Sequence, residues 1–385
     1  MLGLFPPAEA VTAAQRVAGQ VAATAADDVD DNARFPFEAL AELRRERLLG
    51  AAIPQGFGGL GLRISELARI AQVLAQSCAS TAMVWSMHQI QVACIAEHAS
   101  DVPYFASYLQ AAAERQLLVA SVTSEVGVGG DIRSSLAAVE HDGPIARLAK
   151  HGSTVSYGLY ADAFLATARR APDAAQNDQV LVLLERDQTL IEPTGKWDTL
   201  GMRGTCSPPL RITGEFSLNQ ICPVPFADIC ARTMVPYSHI LWSACWLGIA
   251  TDAVWRARRY LKARAARGSS SLAGDTRLAD IATLLHQMRA LIFDCAVRYE
   301  RALAESAPPN MQLAIEMNQL KLAASELVVT IVSHALLILG VSGYLAHGQY
   351  SVARHLRDAY SAACMISNER LREANAAMLL VYKGS

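Results

Sequence analysis

At 385 residues the chain exceeds one average domain, so two or three folded units on a shared core are expected. Hydrophobic residues make up 52% and charged residues 18%, which excludes a disordered chain, and a formal net charge of −2 gives no electrostatic footprint for nucleic acid or an anionic membrane. The eight cysteines stand singly with no CxxC pair, which argues against a zinc knuckle or redox dithiol and for reduced thiols in the cytoplasm.

The opening Met1-Leu2-Gly3-Leu4-Phe5-Pro6-Pro7 has no basic segment ahead of an apolar run, so no signal peptide is expected. Helical spacing then appears over Ala8–Ala26 and Phe37–Arg47. It breaks at Ile53-Pro54-Gln55-Gly56-Phe57-Gly58-Gly59 and resumes over Ile64–Ala79, Thr81–Glu97 and Val102–Glu114. After Leu117 the segments become short, rich in Val, Ile, Leu and Thr, and separated by Gly, Asp and Pro. Ile145–Ala149, Ala163–Ala168, Gln179–Leu184 and Leu210–Phe216 read as strands of a small barrel or sandwich. Long periodic helices return at His239–Ala266, Thr276–Glu305, Met311–Leu339 and Gln349–Leu380, joined by short loops as in an antiparallel bundle. Leu327–Ala346 is about a bilayer long but carries Ser333, His334, Gly340, Ser342 and Gly343, so a central bundle helix is the expected role. The fold class is therefore α+β multidomain: an N-terminal helical domain (1–118), a middle β-barrel or sandwich domain (119–226) and a C-terminal four-helix bundle (227–385).

Five motifs in this order resemble the acyl-CoA dehydrogenase family over nearly the whole chain. Ile53–Gly59 is similar to its "P-E-x-x-G-G" turn, and Cys78-Ala79-Ser80-Thr81-Ala82 to "C-x-S-T-A". Ser124-Glu125-Val126-Gly127-Val128-Gly129-Gly130-Asp131 resembles "T-E-P-x-x-G-S-D". Leu200-Gly201-Met202-Arg203-Gly204-Thr205 resembles "L-G-x-R-x-[ST]", and Arg354-His355-Leu356-Arg357-Asp358-Ala359 resembles "R-x-x-R-D-A".

The resemblance implies FAD. Ser121, Thr123 and Ser124 would lie along the isoalloxazine, with Ser124 keeping the hydroxyl of the usual threonine, and Gly129 and Gly130 would follow in the adjoining loop. Ser156 sits where "W-I-T" supplies a second hydroxyl, and Thr154 stands where a tryptophan usually covers the flavin. Turn chemistry accounts equally for two serines at strand ends. Arg264, Gly340 and Gly343 match positions that approach the cofactor of a partner chain, which implies a homodimer or homotetramer. An acyl-CoA or acyl-carrier-protein substrate is implied, with an electron-transfer flavoprotein or a flavin reductase as redox partner.

The family's reaction needs a carboxylate aimed at the substrate α-carbon. Counted from Asp358-Ala359, its usual glutamate position is Ile366, which cannot take a proton. Gly130 lacks the hydroxyl of "G-S-D", and Arg267 replaces a phenylalanine. Replacement bases would be Glu369, about one helical turn on, Glu373 a turn further, and His239 or Tyr237 beside the position that some relatives use on the first bundle helix.

The leading expectation is an FAD-dependent acyl-thioester dehydrogenase with a displaced base. A flavin monooxygenase or N-hydroxylase of the same fold is the alternative, because that branch also lacks the glutamate. Trp197–Thr205 resembles that branch equally well, although its desulfurisation members carry a histidine near the place of Met365. A non-catalytic flavin-bearing subunit is the third reading, prompted by Ile366.

Overall fold

A computed structural model describes residues 7–268, 272–305 and 310–383, so the first six residues of the opening segment lie outside it. Helices α1 (Pro7–Arg16) and α2 (Ala23–Asp31) are continuous through a π-helical stretch at Val17–Ala22, and α3 (Phe37–Arg45) follows Pro36. Helix α4 (Ile64–Ser77) starts where the Glu66 carboxylate accepts the Arg63 backbone N–H at 2.8 Å. It buries Ile64, Leu67, Ala68, Ala71, Leu74 and Ala75, one face of a 3.6-residue period. Helix α5 (Ala79–His98) is buried on nearly every side, and α6 (Pro103–Arg115) completes the helical part.

Burying α5 obliges its polar side chains to find partners. The Trp85 indole donates to Leu48 O at 2.9 Å, and Gln89 Oε1 accepts the Ala52 N–H at 2.9 Å. His88 Nδ1 accepts the Val119 N–H at 3.0 Å, so Nε2 carries the proton given to Leu49 O at 2.8 Å. Burial draws the His88 pKa down to about 4, which keeps this bridge between helices and sheet neutral.

The strands of the middle domain form two sheets. One has the order β1 (Val119–Val122), β4 (Ala163–Arg169), β5 (Gln179–Glu185), with β1 and β4 parallel. The other runs β2 (Glu140–Asp142), β3 (Ile145–Gly152), β7 (Leu210–Ser217), β6 (Thr189–Pro193). Strands β3 and β7 alternate buried and exposed residues, whereas β4 and β5 are almost wholly buried.

A short α7 (Phe226–Ile229) and a π-turn at Cys230–Met234 lead into α8 (Val235–Ala265). Helices α9 (Leu272–Ala304) and α10 (Met311–Leu339) follow, then a one-turn α11 (Val341–Tyr344), α12 (Ala353–Tyr360) and α13 (Asn368–Val381). Helix α10 is long and apolar enough to cross a membrane, yet here it packs against α8, α9, α12 and α13 with Asn318, Lys321 and Ser325 buried.

The single helix expected over Gln349–Leu380 is broken. A 3₁₀ turn occupies Ser361–Ala363, and Ile366 adopts φ 58°, a left-handed conformation that a β-branched residue takes only under constraint. Apolar periodicity runs through Cys364–Ser367, so local sequence does not announce the break. At the break, Lys321 Nζ from α10 donates to the Ile366 carbonyl at 2.6 Å.

Candidate active site

The end of β1 and the segment after β3 form a polar cradle. Ser124 Oγ donates to Thr154 O at 2.8 Å and accepts the Thr154 N–H at 3.2 Å. The Ser121 and Thr123 hydroxyls stand 3.4 Å apart, and Ser207 donates to the Ser156 hydroxyl at 2.9 Å. Ser121, Thr123, Ser124 and Ser156 are all partly exposed and Thr154 is exposed. Partly open hydroxyls at strand ends supply the donors and acceptors that a flavin's pyrimidine edge requires, so these residues fit the group. Ser207, which sequence spacing alone does not single out, joins them because residues 205–207 fold back beneath Ser156: the Ser207 and Thr205 hydroxyls are 2.8 Å apart.

Glu125, the acid of the Ser124–Asp131 motif, builds this loop instead of doing chemistry. Its buried carboxylate accepts the N–H groups of Leu136 (3.1 Å) and Ala137 (2.7 Å) and pairs with buried Lys150 at 3.2 Å. Lys150 also donates to Thr167 O at 2.7 Å, tying the loop to β3 and β4. Gly127, Gly129 and Gly130 take φ of 99°, 60° and 80°, and Arg370 on α13 donates to the Gly129 carbonyl. The cradle and the last helix therefore meet across this loop.

The replacement bases named from the sequence are not assembled. The Glu369 side chain is 75% exposed and paired with Arg372, and Glu373 is also on the surface. The left-handed Ile366 restarts the helix and rotates the register that counting one turn assumes. Tyr237 is buried against Tyr299, and burial raises its pKa. His239 is 1% exposed, with Nδ1 donating to Met317 O at 3.0 Å and Nε2 without a partner; burial draws its pKa down to about 4.

A cavity of about 670 Å³ opens between the β domain, the start of α8, α10 and α13. Phe226, Val235, Met317 and Met378 make its apolar walls, and among the described residues Arg133 is the one charged side chain lining it. None of Tyr237, His239 and Glu369 lines it, although Pro236, Met317 and Asn318 beside His239 do.

The β close and the last segment of the bundle interlock. The Met202 N–H donates to Asp358 Oδ1 at 2.6 Å, Arg357 donates to Leu200 O at 3.0 Å, and Arg357 also pairs with Asp30 of α2. Burial pushes the Asp358 carboxyl up to about 6, against the pull of Arg354. A carboxyl whose folded pKa lies above its unfolded value binds its proton more tightly when folded, so stability falls as pH rises from about 4 to about 6 and then levels. Asp358→Asn should flatten that fall by about 3 kcal/mol, read from denaturant midpoints across this range; parallel wild-type and variant curves would contradict it.

Arg264, half-buried with its guanidinium 5.8 Å from the Tyr260 ring, lies 25 residues along α8 from His239, about 38 Å at helical rise. Gly340 (φ 56°) caps α10 and Gly343 lies in α11, its carbonyl accepting the Val352 N–H at 3.0 Å, two residues after the Tyr350 that packs on Tyr260.

Two family descriptions match: "Acyl-CoA dehydrogenase, N-terminal domain" over residues 8–102 and "Acyl-CoA dehydrogenase, C-terminal domain" over residues 230–366. The chain is 24% identical to the probable acyl-CoA dehydrogenase YngJ of Bacillus subtilis over 353 residues, 87% of each chain. It is 26% identical to the L-evernosamine nitrososynthase of a Micromonospora species over 364 residues, 90% of this chain and 83% of that one. The FMN-bound structure of TdsC from Paenibacillus sp. A11-2 superposes with a TM-score of 0.86 at 19% identity, covering 98% of both chains. The chain belongs to the acyl-CoA dehydrogenase family of flavoprotein oxidoreductases, as a divergent member.

Proposed function

We propose that this chain is a reduced-flavin-dependent oxygenase, a monooxygenase or N-hydroxylase, built on the dehydrogenase fold. The observation that carries the reading is the absence, among the described residues, of a placed base. Ile366 occupies the position, Glu369 and Glu373 face solvent, and His239 and Tyr237 are sealed in the bundle. Removing an α-proton from a thioester demands a carboxylate at the reacting carbon. Oxygen activation by a reduced flavin draws its electrons from the cofactor and asks the protein to bind, orient and keep water out. The cradle around Ser121, Ser124, Thr154 and Ser156 would hold the flavin, FAD or FMN, and the cavity beside Met317 would hold an apolar substrate.

A flavin reductase is then the expected redox partner. The exposed Leu337, Val341, Tyr344 and Leu345, near Gly340 and Gly343, support a homodimer or homotetramer. The test is equilibrium binding of oxidised and dithionite-reduced FAD and FMN, followed by mixing the reduced complex with oxygen. Tighter binding of a reduced flavin and an oxygen reaction slower than that of free flavin are expected. Equal binding with an unaltered oxygen reaction would sink the proposal.

The dehydrogenase reading keeps support from relatives such as YngJ, and Glu369 is its remaining carboxylate. Glu369→Gln should leave any flavin-linked turnover within about twofold, because the side chain is engaged with Arg372 at the surface. A loss on the order of a hundredfold in kcat would instead restore the displaced base.

A further inference from the structure

Lys321 stands inside the bundle with 0% of its surface exposed. Among the described residues no carboxylate lies within ion-pair distance of its ammonium. Its partners are the Ile366 carbonyl at 2.6 Å and Asn368 Oδ1 at 2.6 Å, with the Trp246 ring centroid at 5.9 Å. Asn368 is held in turn by Ser325, to which its amide donates at 3.0 Å. An ammonium buried without a counter-ion is costly, and it persists only where dipoles and an aromatic face replace water. The carbonyl it takes belongs to the residue with the strained φ of 58°. Two unfavourable features, a lone buried cation and a left-handed isoleucine, thus meet in one hydrogen bond.

We propose that Lys321 is a positioning residue: its ammonium clasps the Ile366 carbonyl and the Asn368 side chain and so fixes the turn from which α13 restarts. Arg370, which reaches the Gly129 carbonyl beside the cradle, projects from the first turn of that helix, so the clasp sets the bundle side of the cleft. This holds whether the flavin-linked reaction is an oxygenation or a dehydrogenation.

Burial also draws the Lys321 pKa down to about 8. The titratable and charged groups nearest it are Cys364 on the turn, Arg372 on α13 and His239 on α8. Glu326 of α10 and Glu369 of α13 are taken up by Arg372. A depressed lysine pKa means that the charged clasp is whole below about 8 and weakens as pH rises through that value.

Amide hydrogen exchange on the full chain, read as protection factors for peptides across 361–370, tests this. In the wild type, protection there should fall as pH passes about 8 while peptides of β4 and β5 hold theirs. Lys321→Met should lose roughly tenfold protection in the same peptides already near pH 6, and Lys321→Arg should retain part of it. Equal protection in wild type and Lys321→Met would overturn the proposal. If the methionine variant does not fold, the wild-type series decides alone, and protection across the turn that stays flat through pH 8 overturns it.

Discussion

Gly201→Ala should detach the β close from the last segment of the bundle, lower stability by about 3 kcal/mol or more, and weaken flavin binding with it. A Cβ at this position would stand 2.2 Å from Arg357 O, 2.3 Å from its carbonyl carbon and 2.6 Å from Asp358 N. All three are backbone atoms of a helix, so no flexible side chain is available to yield. Moving α12 aside would break the Met202–Asp358 and Arg357–Leu200 hydrogen bonds, and the Arg357–Asp30 pair would loosen with them. Thermal melting should show a fall of several degrees, roughly 5 °C or more for a chain this long. An unchanged midpoint would mean that the two segments do not touch as described.

Glu125→Ala should cost about 3–5 kcal/mol, the range for stranding one member of a buried ion pair. Lys150, with its side chain 1% exposed, would keep the Thr167 oxygens but lose its carboxylate partner, and the Leu136 and Ala137 N–H groups would lose their acceptor. Lys150→Met should cost less, because Glu125 then keeps both backbone donors, and combining the two changes should cost less than their sum. Urea denaturation of the four proteins measures each step. A Glu125→Ala penalty below about 1 kcal/mol would show that the loop does not rest on this pair.

The parts of this molecule legible in the sequence are those encoded locally. The apolar faces of α4 and α8, the β3 and β7 alternation, and the motifs around Ser124, Gly201 and Asp358 repeat at spacings that one stretch of chain defines. The order of helices, β domain and bundle followed from them. The contacts that decide the chemistry join residues far apart in the chain. Nothing local in the sequence ties Lys321 to Ile366, 45 positions away, whose carbonyl its ammonium takes. A lysine between Leu320 and Leu322, in a helix otherwise charged at Glu316 and Glu326, was the available signal. Counting a helical turn from Ile366 to Glu369 assumed unbroken helix, and the left-handed turn removed that assumption. Glu125, in the Ser124–Asp131 motif, and Lys150, just past the expected strand Ile145–Ala149, are 25 positions apart and are paired only by the fold.

The most direct test of the reaction is an anaerobic absorbance titration of the flavin-loaded protein with short-, branched- and long-chain acyl-CoAs. With Ile366 at the base position, the oxidised flavin spectrum should stay unbleached with every thioester. Rapid bleaching by any one of them would contradict the oxygenase proposal and establish dehydrogenation without the glutamate.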